Sequence, residues 1–272
     1  MDNLYRVSAF TKDGTGGNDA GVYIHADHLS DKEMQSIAYE VGYSETAFVL
    51  KSDVADFKVR FFTPITEVDL CGHASIATFY TLRELNIIEK GFYTQETKAG
   101  LLKIKVDADD IHIELSKPLF FQKVNKKEIE ASFNHIEFDD SLDCYVVSTG
   151  IKEIFVPVKN NDILNKLIPH KNILMEVAKR YDAIGMHVFA LGDDVDAYGR
   201  NFAPVVGIDE ESATGTSNGA LACYLNKFYK QKEQYILHQG YQIGKPSELK
   251  ATLTFDDINI KEVWIGGKAK FK

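Results

Sequence analysis

The chain carries one pattern twice, and this repetition restricts the folds open to it more than any other feature. The first copy reads Phe48-Val49-Leu50-Lys51, a spacer, then Phe62-Thr63-Pro64. The second reads Phe189-Ala190-Leu191-Gly192, a spacer, then Phe202-Ala203-Pro204. Phe62 and Phe202 stand 140 positions apart. After each triplet come a glycine turn and an apolar run: Cys71-Gly72-His73-Ala74-Ser75 in the first copy and Thr214-Gly215-Thr216-Ser217-Asn218 in the second. Gly72 and Gly215 are 143 positions apart, so the second copy has gained three residues between triplet and turn. Repeated order at a fixed offset is the mark of an internally duplicated architecture. A length of 272 residues, at about 150 per domain, agrees with two lobes.

Local patterns fill in each lobe. Met34, Ile37, Ala38 and Val41 follow the spacing of one helix face, so Asp31 to Glu40 is predicted as a helix. Ser30 and Glu33 supply its capping box and Gly42 its C-cap. Asn161 to Arg180 holds the corresponding helix of the second copy, broken near Pro169. Ala74 to Leu85 and Ala220 to Tyr229 are apolar on nearly every side, as helices enclosed by protein are. Strand-like runs surround them: 57–62, 101–106 and 111–115 in the first copy, then 144–147, 154–158, 188–191 and 251–255 in the second. The Asp107-Ala108-Asp109-Asp110 turn predicts an antiparallel hairpin. The expected class is α+β, with two pseudo-symmetric lobes, each a curved, mainly antiparallel sheet around a buried helix. Pro118 and the polar run 122–130 place the division at 117/118. Val263-Trp264-Ile265-Gly266-Gly267 reads as one more strand with a bulge or turn.

Charge and composition exclude several classes of function. Lys and Arg number 31 against 40 Asp and Glu, a net charge of −9. That opposes a general nucleic-acid surface and adhesion to anionic membranes, but not a small anionic substrate held by a local field. No stretch reaches the length of a membrane span, and Met1 to Phe10 does not read as a signal peptide. Cys71, Cys144 and Cys223 are far apart and suit neither a disulfide framework nor a zinc knuckle, so a cytoplasmic setting is expected. Gly14-Thr15-Gly16-Gly17 lacks the third glycine of a dinucleotide fingerprint, and there is no P-loop and no nucleophile elbow. His25 and His28 have metal-like spacing without further ligands and read as surface. No nucleotide, metal or flavin is implied.

The chemistry-bearing residues gather at the glycine turns. A helix start offers unpaired N–H groups and a positive dipole end, which suits a carboxylate. Two such starts, at Gly72 and Gly215, could hold one anionic group between them, or could simply begin their helices. Asp69-Leu70-Cys71-Gly72-His73 sets a carboxylate, a thiol and an imidazole at the first. Cys71 could be a thiolate or a small buried apolar residue. Glu45, in Tyr43-Ser44-Glu45-Thr46-Ala47-Phe48, stands at a strand start, where a carboxylate can serve as general base or lie on the surface.

These residues together resemble the PhzF-like family, the phenazine-biosynthesis isomerases and their relatives, of the diaminopimelate epimerase fold. The resemblance runs nearly end to end. It takes in Val7-Ser8-Ala9-Phe10-Thr11, Gly17-Asn18-Asp19-Ala20, Ser44-Glu45-Thr46-Ala47-Phe48, Phe62-Thr63-Pro64 and Glu67-Val68-Asp69-Leu70-Cys71-Gly72-His73-Ala74. In the second half it takes in Phe202-Ala203-Pro204, Ala213-Thr214-Gly215-Thr216, Gln239-Gly240 and Ile265-Gly266-Gly267. It implies an active site in the cleft between the lobes, no cofactor, commonly a homodimer, and a last strand, 263–272, that returns to the first lobe (1–117) from the second (118–262). It assigns general acid/base work to Glu45, an active-site role to His73, and the family's aspartate position to Glu211, because Glu210-Glu211-Ser212 stands where Glu-Asp-Pro is usual. Substrate contacts are implied for Asn18, Ser44, Gly72, Ser75, Gly215 and Thr216.

The epimerases of this fold use two facing cysteines. The corresponding positions here hold Cys71 and Thr214, and a threonine is not a practical base, which argues against two-base epimerisation. The expected activity is therefore a cofactor-independent isomerase of a biosynthetic kind, shifting a double bond in a small carboxylate by taking and returning a proton at carbon. The alternatives are a dehydratase or racemase of a small amino acid using Cys71 and Thr214, and a carboxylate-binding protein without turnover.

Overall fold

Both expected buried helices form, and each begins at its glycine. In the computed structural model, which describes residues 3–272, the chain divides into two compact units. One comprises the residues up to Glu114 together with Gly266–Lys272, and the other Leu115–Ile265. Met1 and Asp2, with which the first lobe was expected to start, lie outside the described residues. The divisions fall at 114/115 and 265/266, where the sequence placed them at 117/118 and 262/263. The strand Leu119–Val124, which follows Pro118, belongs to the second unit.

The first lobe contains β1 (Leu4–Ala9), β2 (Asn18–Tyr23), α1 (Asp31–Val41), β3 (Glu45–Leu50), β4 (Phe57–Phe62), β5 (Glu67–Val68), α2 (Gly72–Glu84), β6 (Gly91–Thr97), β7 (Gly100–Val106) and β8 (Ile111–Leu115). The second contains β9 (Leu119–Val124), the single turn α3 (Lys126–Ile129), β10 (Cys144–Ser148), β11 (Lys152–Val158), α4 (Asn161–Lys166), α5 (Lys171–Arg180), β12 (Met186–Leu191), β13 (Ala197–Ala203), β14 (Ile208–Glu211), α6 (Gly215–Phe228), β15 (Gln234–Gln239), β16 (Ser247–Asp256) and most of β17 (Asn259–Gly267). The last strand, β18 (Ala269–Phe271), pairs with β1 and completes the first lobe.

The pairing pattern is the same twice. In the first lobe β1 pairs antiparallel with β2, β2 parallel with β3, β3 antiparallel with β4, β4 parallel with β6, and β6 antiparallel with β7. In the second, β10 to β16 repeat those five relations in the same order and sense, with β10 to β13 standing for β1 to β4 and β15 and β16 for β6 and β7. The short β5 and β14 add to the ends of β4 and β13. Two parallel pairs per lobe mean that the helix between their strands crosses over and packs back on the sheet.

The helices form for the reasons their sequences give. Ser30 and Glu33 close a reciprocal cap on α1, and Gly42 ends it in the left-handed region at φ 69°, a conformation that costs glycine least. Met34 and Ala38 of α1 pack with Ala26, Phe48 and Phe62. Pro169 separates α4 from α5, as a residue that cannot donate in a helix interior must. α2 and α6 are buried along most of their length. The hydroxyls inside α2 return to its own backbone: Thr78 donates to Ala74 O and Thr81 to Ala77 O, both at 2.8 Å. Buried hydroxyls so paired cost little. No helix among the described residues is long and apolar enough to cross a membrane.

One repeated contact escaped the sequence reading. Two positions before each triplet phenylalanine stands an arginine, Arg60 and Arg200. Arg60 grips Glu67 through Nε (2.8 Å) and Nη2 (3.0 Å), and Arg200 grips Glu210 the same way at 2.9 and 2.8 Å. Each guanidinium also lies over its phenylalanine, 5.1 Å from the Phe62 centroid and 4.9 Å from that of Phe202. The two-point geometry ties the strand before the glycine turn to the short strand that leads into it.

Candidate active site

In the first lobe three strand or helix starts come together. Gly42 turns the chain out of α1 so that Ser44 leads into Glu45, the first residue of β3. The parallel pairing of β2 with β3 sets Ala20 opposite Glu45, which places Asn18 at the same end of the sheet. The extended Cys71 then turns the chain into α2, making no side-chain cap of its own. His73, in the first turn, is 4% exposed and is surrounded by the other four. Its Nδ1 is 3.2 Å from Asn18 Nδ2 and 3.4 Å from Cys71 Sγ. Its Nε2 is 3.3 Å from Glu45 Oε2 and 3.5 Å from Ser44 Oγ. Glu45 Oε2 is enclosed at ion-pair distance, yet it has no hydrogen bond of good geometry. Nothing lies within 4 Å of where a Cβ on Gly72 would sit, so the start of α2 can be approached closely.

Ser75 lies one turn on and fully buried. Its hydroxyl donates to Cys71 O (2.9 Å) and accepts from Gln95 (2.9 Å), so it is engaged within the lobe and holds the start of α2. Behind Asn18, Asp19 accepts from Ser8 Oγ on β1 and from Lys272 Nζ at 2.8 Å. Lys272 also reaches the face of Tyr43 at 5.8 Å. The final residue thus ties down the neighbours of both Asn18 and Ser44, and the ammonium beside Asp19 stays charged to higher pH than an ordinary lysine. Sequence reasoning singled out none of Ser8, Asp19 or Lys272 as supports, although Ser8 and Asp19 stand within quoted motifs.

The second lobe builds its helix start from other groups. Glu210 and Glu211 alternate across β14. Glu210 is taken up by Arg200, whereas Glu211 Oε2 accepts from Thr214 Oγ1 at 2.7 Å. Of the two, only Glu211 therefore stands at the start of α6. Gln239 organises this turn: it donates to Glu211 O (2.6 Å) and Thr214 Oγ1 (3.1 Å), and accepts from Asn218 Nδ2 (2.6 Å) and Thr214 N (3.3 Å). The adjacent Gly240, at φ 84°, leaves no space for a Cβ against Lys245 O and Ser212 O. Thr216 O accepts from Thr149 Oγ1 at 2.9 Å, and Gly215 is buried. The Gln239-Gly240 pair is visible in sequence, but its partners lie 21 to 28 positions away and are not.

Beneath the same helix start lies a second titratable group. Glu153 accepts from Ser217 Oγ, in the first turn of α6, and from Asn201 Nδ2 at 2.8 Å. Asn201 Nδ2 also lies 3.3 Å from His187 Nδ1. Burial pushes the Glu153 carboxyl above the usual range and pulls His187 down to about 3. In both, burial disfavours the charged form.

Two cavities lie elsewhere. One of about 500 Å³ in the first lobe is lined by Lys58, Arg60, Glu67, Glu96 and Lys98 with their apolar neighbours. Its charges pair among themselves at 2.7 to 2.8 Å, which holds Glu67 below the usual carboxylate range, chiefly through Arg60. One of about 300 Å³ in the second lobe is mainly apolar. Neither is lined by the residues gathered at the helix starts.

What those residues can do chemically is specific. A carboxylate, an imidazole and a thiol meet at the positive end of a buried helix, with a hydroxyl and an amide to orient the ring. An anion bound there would sit beside groups able to take or give a proton. Glu45, Cys71 and His73 are also residue types that bind metals.

The chain matches the phenazine biosynthesis-like protein family (PhzC-PhzF) over residues 7–271. An uncharacterized isomerase of Clostridium acetobutylicum is 38% identical over 290 aligned residues, covering 98% of this chain and 95% of the other. The crystal structure of a PhzF-family phenazine biosynthesis protein of Bacillus anthracis superposes with a TM-score of 0.91 at 33% identity, covering 98% and 96%. A hydroxyproline epimerase of Agrobacterium vitis, solved with trans-4-hydroxy-L-proline bound, shares the fold at a TM-score of 0.64 and 15% identity over 99% and 88%.

Proposed function

This chain belongs to the phenazine biosynthesis-like family, and from that premise we propose that it is an isomerase that moves a proton between carbons of a small carboxylate and so shifts a double bond. The observation that carries the proposal is the placement of Glu45 against His73 at the start of α2. Glu45 takes a proton from carbon, the electron pair moves into the new double bond, and the proton returns at the far end of the shifted system. His73, held by Asn18 on one side and near Ser44 on the other, orients the carboxyl and the substrate. The substrate's own carboxylate is bound by the N–H groups that open α2 and α6, with Gly72, Gly215 and Thr216 admitting it and Glu211 positioning it. The shared cleft this requires follows the family resemblance. One positioned base contributes about 10²- to 10⁴-fold, and orientation contributes more. A cytoplasmic setting, from the cysteine usage, and a homodimer, from the resemblance, remain part of the proposal.

One observation favours a second reading. Cys71 Sγ lies 3.4 Å from His73 Nδ1, an arrangement that could activate the thiol as a base for a dehydratase or racemase. The fold's likeness to a hydroxyproline epimerase points the same way, while Thr214 at the corresponding position of the second lobe points against it.

Proton NMR in D₂O tests both. The protein is incubated with a panel of small carboxylates: a cyclic dienyl amino acid, diaminopimelate and hydroxyprolines. Deuterium entering carbon with the wild type and Cys71→Ser, but not with Glu45→Gln, is the expected result. Exchange that survives Glu45→Gln and is lost in Cys71→Ser would replace the first reading by the second. Tight binding of a panel member with no exchange would leave a binding protein.

A further inference from the structure

The second lobe carries a row of three side chains, Glu248, His238 and Tyr241, that the proposed reaction does not use. His238, on β15, stands directly opposite Glu248 of β16 and Tyr198 of β13, and residues paired in this way share one face of the sheet. The His238 ring is 4% exposed, and its Nε2 lies 3.3 Å from Glu248 Oε2. Gly240, in the left-handed region, turns the chain at the end of β15, and Tyr241 returns its Oη to within 3.1 Å of His238 Nδ1. The order is carboxylate, imidazole, hydroxyl: a nucleophile beside a base that a third group orients. A carboxylate can only accept, so the neutral ring carries its proton on Nε2 and leaves Nδ1 to accept from the phenol.

A neighbouring tyrosine shows what is particular to Tyr241. Tyr198 packs edge-on against the same imidazole at 5.4 Å. Its hydroxyl, however, donates to Asp194 at 2.9 and 3.0 Å, and burial together with Asp194 pushes it up to about 12. Of the two phenols beside the ring, Tyr241 is the one that donates to it. Tyr241 is also 42% exposed, so a reactant can approach from solvent. Tyr39 and Tyr229 are more exposed, at 72% and 56%, but among the described residues neither hydroxyl has a hydrogen-bonded base.

We propose that Tyr241 is an acylation site that takes the acyl group of an activated ester, with His238 as its general base and Glu248 positioning the ring. The phenol oxygen attacks the carbonyl carbon as its proton passes to His238 Nδ1. The bond to the leaving group then breaks, and the leaving group departs with the electron pair and takes up the proton from the imidazolium. Glu248 offsets the charge of that imidazolium while it lasts. The products are an aryl ester on Tyr241 and the free alcohol or phenol of the donor. The site is independent of the isomerase reading.

Incubation of the full chain with p-nitrophenyl acetate, followed by peptide mass spectrometry over time, tests the proposal. The expected result is one acetyl group on Tyr241, removed by hydroxylamine as an aryl ester is and an acetylated lysine is not. Tyr39 and Tyr229 should react at least about 100-fold more slowly, since they lack the general base. That comparison is made within the wild-type chain and depends on no variant. His238→Gln should slow acetylation of Tyr241 by about 100-fold. Glu248→Gln should slow it less, and Glu248→Asp less still. Far-UV circular dichroism checks that the variants are folded. No acetyl group on Tyr241, labelling that follows exposure with Tyr39 ahead of Tyr241, or a Tyr241 rate unchanged in folded His238→Gln would each overturn the site.

Discussion

The starts of α2 and α6 occupy the same place in two copies of one fold, yet they carry opposite chemistry. At the first, Cys71, His73 and Glu45 gather. At the second, the corresponding positions hold Thr214, Thr216 and Met186, which opens β12 as Glu45 opens β3. The acid on the second strand of each lobe differs in the same sense. Asp19 is partnered by the Lys272 ammonium, whereas Glu153 accepts from Ser217 and Asn201, and burial raises its carboxyl above the usual range. What the lobes share is scaffold: the strand order, the buried helix, the arginine clamp. What they do not share is titratable chemistry. Duplication thus supplies two buried helix starts, and a thiol, an imidazole and a strand-opening carboxylate gather at only one of them.

The strongest test of that division is kinetic. Glu45→Gln should lower kcat by about 10²- to 10⁴-fold, the contribution of one general base, with little change in KM. Glu211→Gln should act mainly on KM, by about 10-fold, the equivalent of roughly 1.4 kcal/mol of binding. Once a substrate is in hand, steady-state kinetics of the two variants decide the matter. A kcat loss at Glu211 as large as that at Glu45 would mean that both lobes do chemistry.

The clamps test the scaffold half of the comparison. Arg200 is 7% exposed and donates not only to Glu210 but also to Leu164 O and Leu167 O, at 3.0 and 2.8 Å. Arg60 spends its third contact on Asp31, which is well exposed. Arg200→Met should cost about 3–5 kcal/mol, as breaking a buried pair does, and Arg60→Met about 1–3 kcal/mol. Urea denaturation of both variants measures the gap. Equal costs would show that the two carbonyl contacts contribute nothing.

These clamps also show where the sequence was legible. The triplets, both glycine turns, the α1 capping box and the break at Pro169 could be read because each depends on neighbours within a few positions. Asn18, Ser44, Glu45, Cys71 and His73 could be named from their motifs, and the fold brings them together. Arg60 and Arg200 had a signal, the same offset of 140 as the triplets, that was overlooked. The contact between Glu153 and Ser217 had none: it joins residues 64 positions apart, and only the packing of α6 on its sheet creates it. β9 carries no signal of its own: its polar residues gain a partner only when β10 lies beside it, an instance of tertiary pairing overriding local preference.

The buried acid of the second lobe predicts how stability depends on pH. A carboxyl raised on folding contributes fully below its unfolded value and less as pH rises through its folded value. His187, lowered to about 3, contributes fully above about 6.5 and loses this as pH falls toward 3. Stability should therefore peak between these limits and decline on the alkaline side by about 1.4 kcal/mol for each pH unit that Glu153 is titrated. Glu153→Gln should remove the decline at higher pH, whereas Asp19→Asn should destabilise at pH 7 by stranding Lys272. Thermal melts across the pH range follow both. An alkaline decline that persists in Glu153→Gln would place the titrating group elsewhere.

The smallest expected effect separates the two surface helices, α1 and α5. Ser30 caps α1 through a closed reciprocal pair: Ser30 N donates to Glu33 Oε2 at 2.8 Å and Glu33 N to Ser30 Oγ at 3.4 Å. The residue before α5, His170, makes no side-chain cap, and its ring instead contacts Ala131 O at 3.1 Å. Ser30→Ala removes the acceptor of Glu33 N and the hydroxyl that donates to Glu33 Oε2, and should cost about 1 kcal/mol. His170→Ala removes no cap and should cost less, about 0.5 kcal/mol for the one lost hydrogen bond. Hydrogen exchange at the first turn of each helix reads the difference locally, independent of global stability. Faster exchange in α1 of Ser30→Ala, with α5 of His170→Ala unchanged, would show that the first lobe fixes its outer helix by capping. The second lobe would then hold its own by packing, through Leu174, Val177 and Ala178 in the large core cluster.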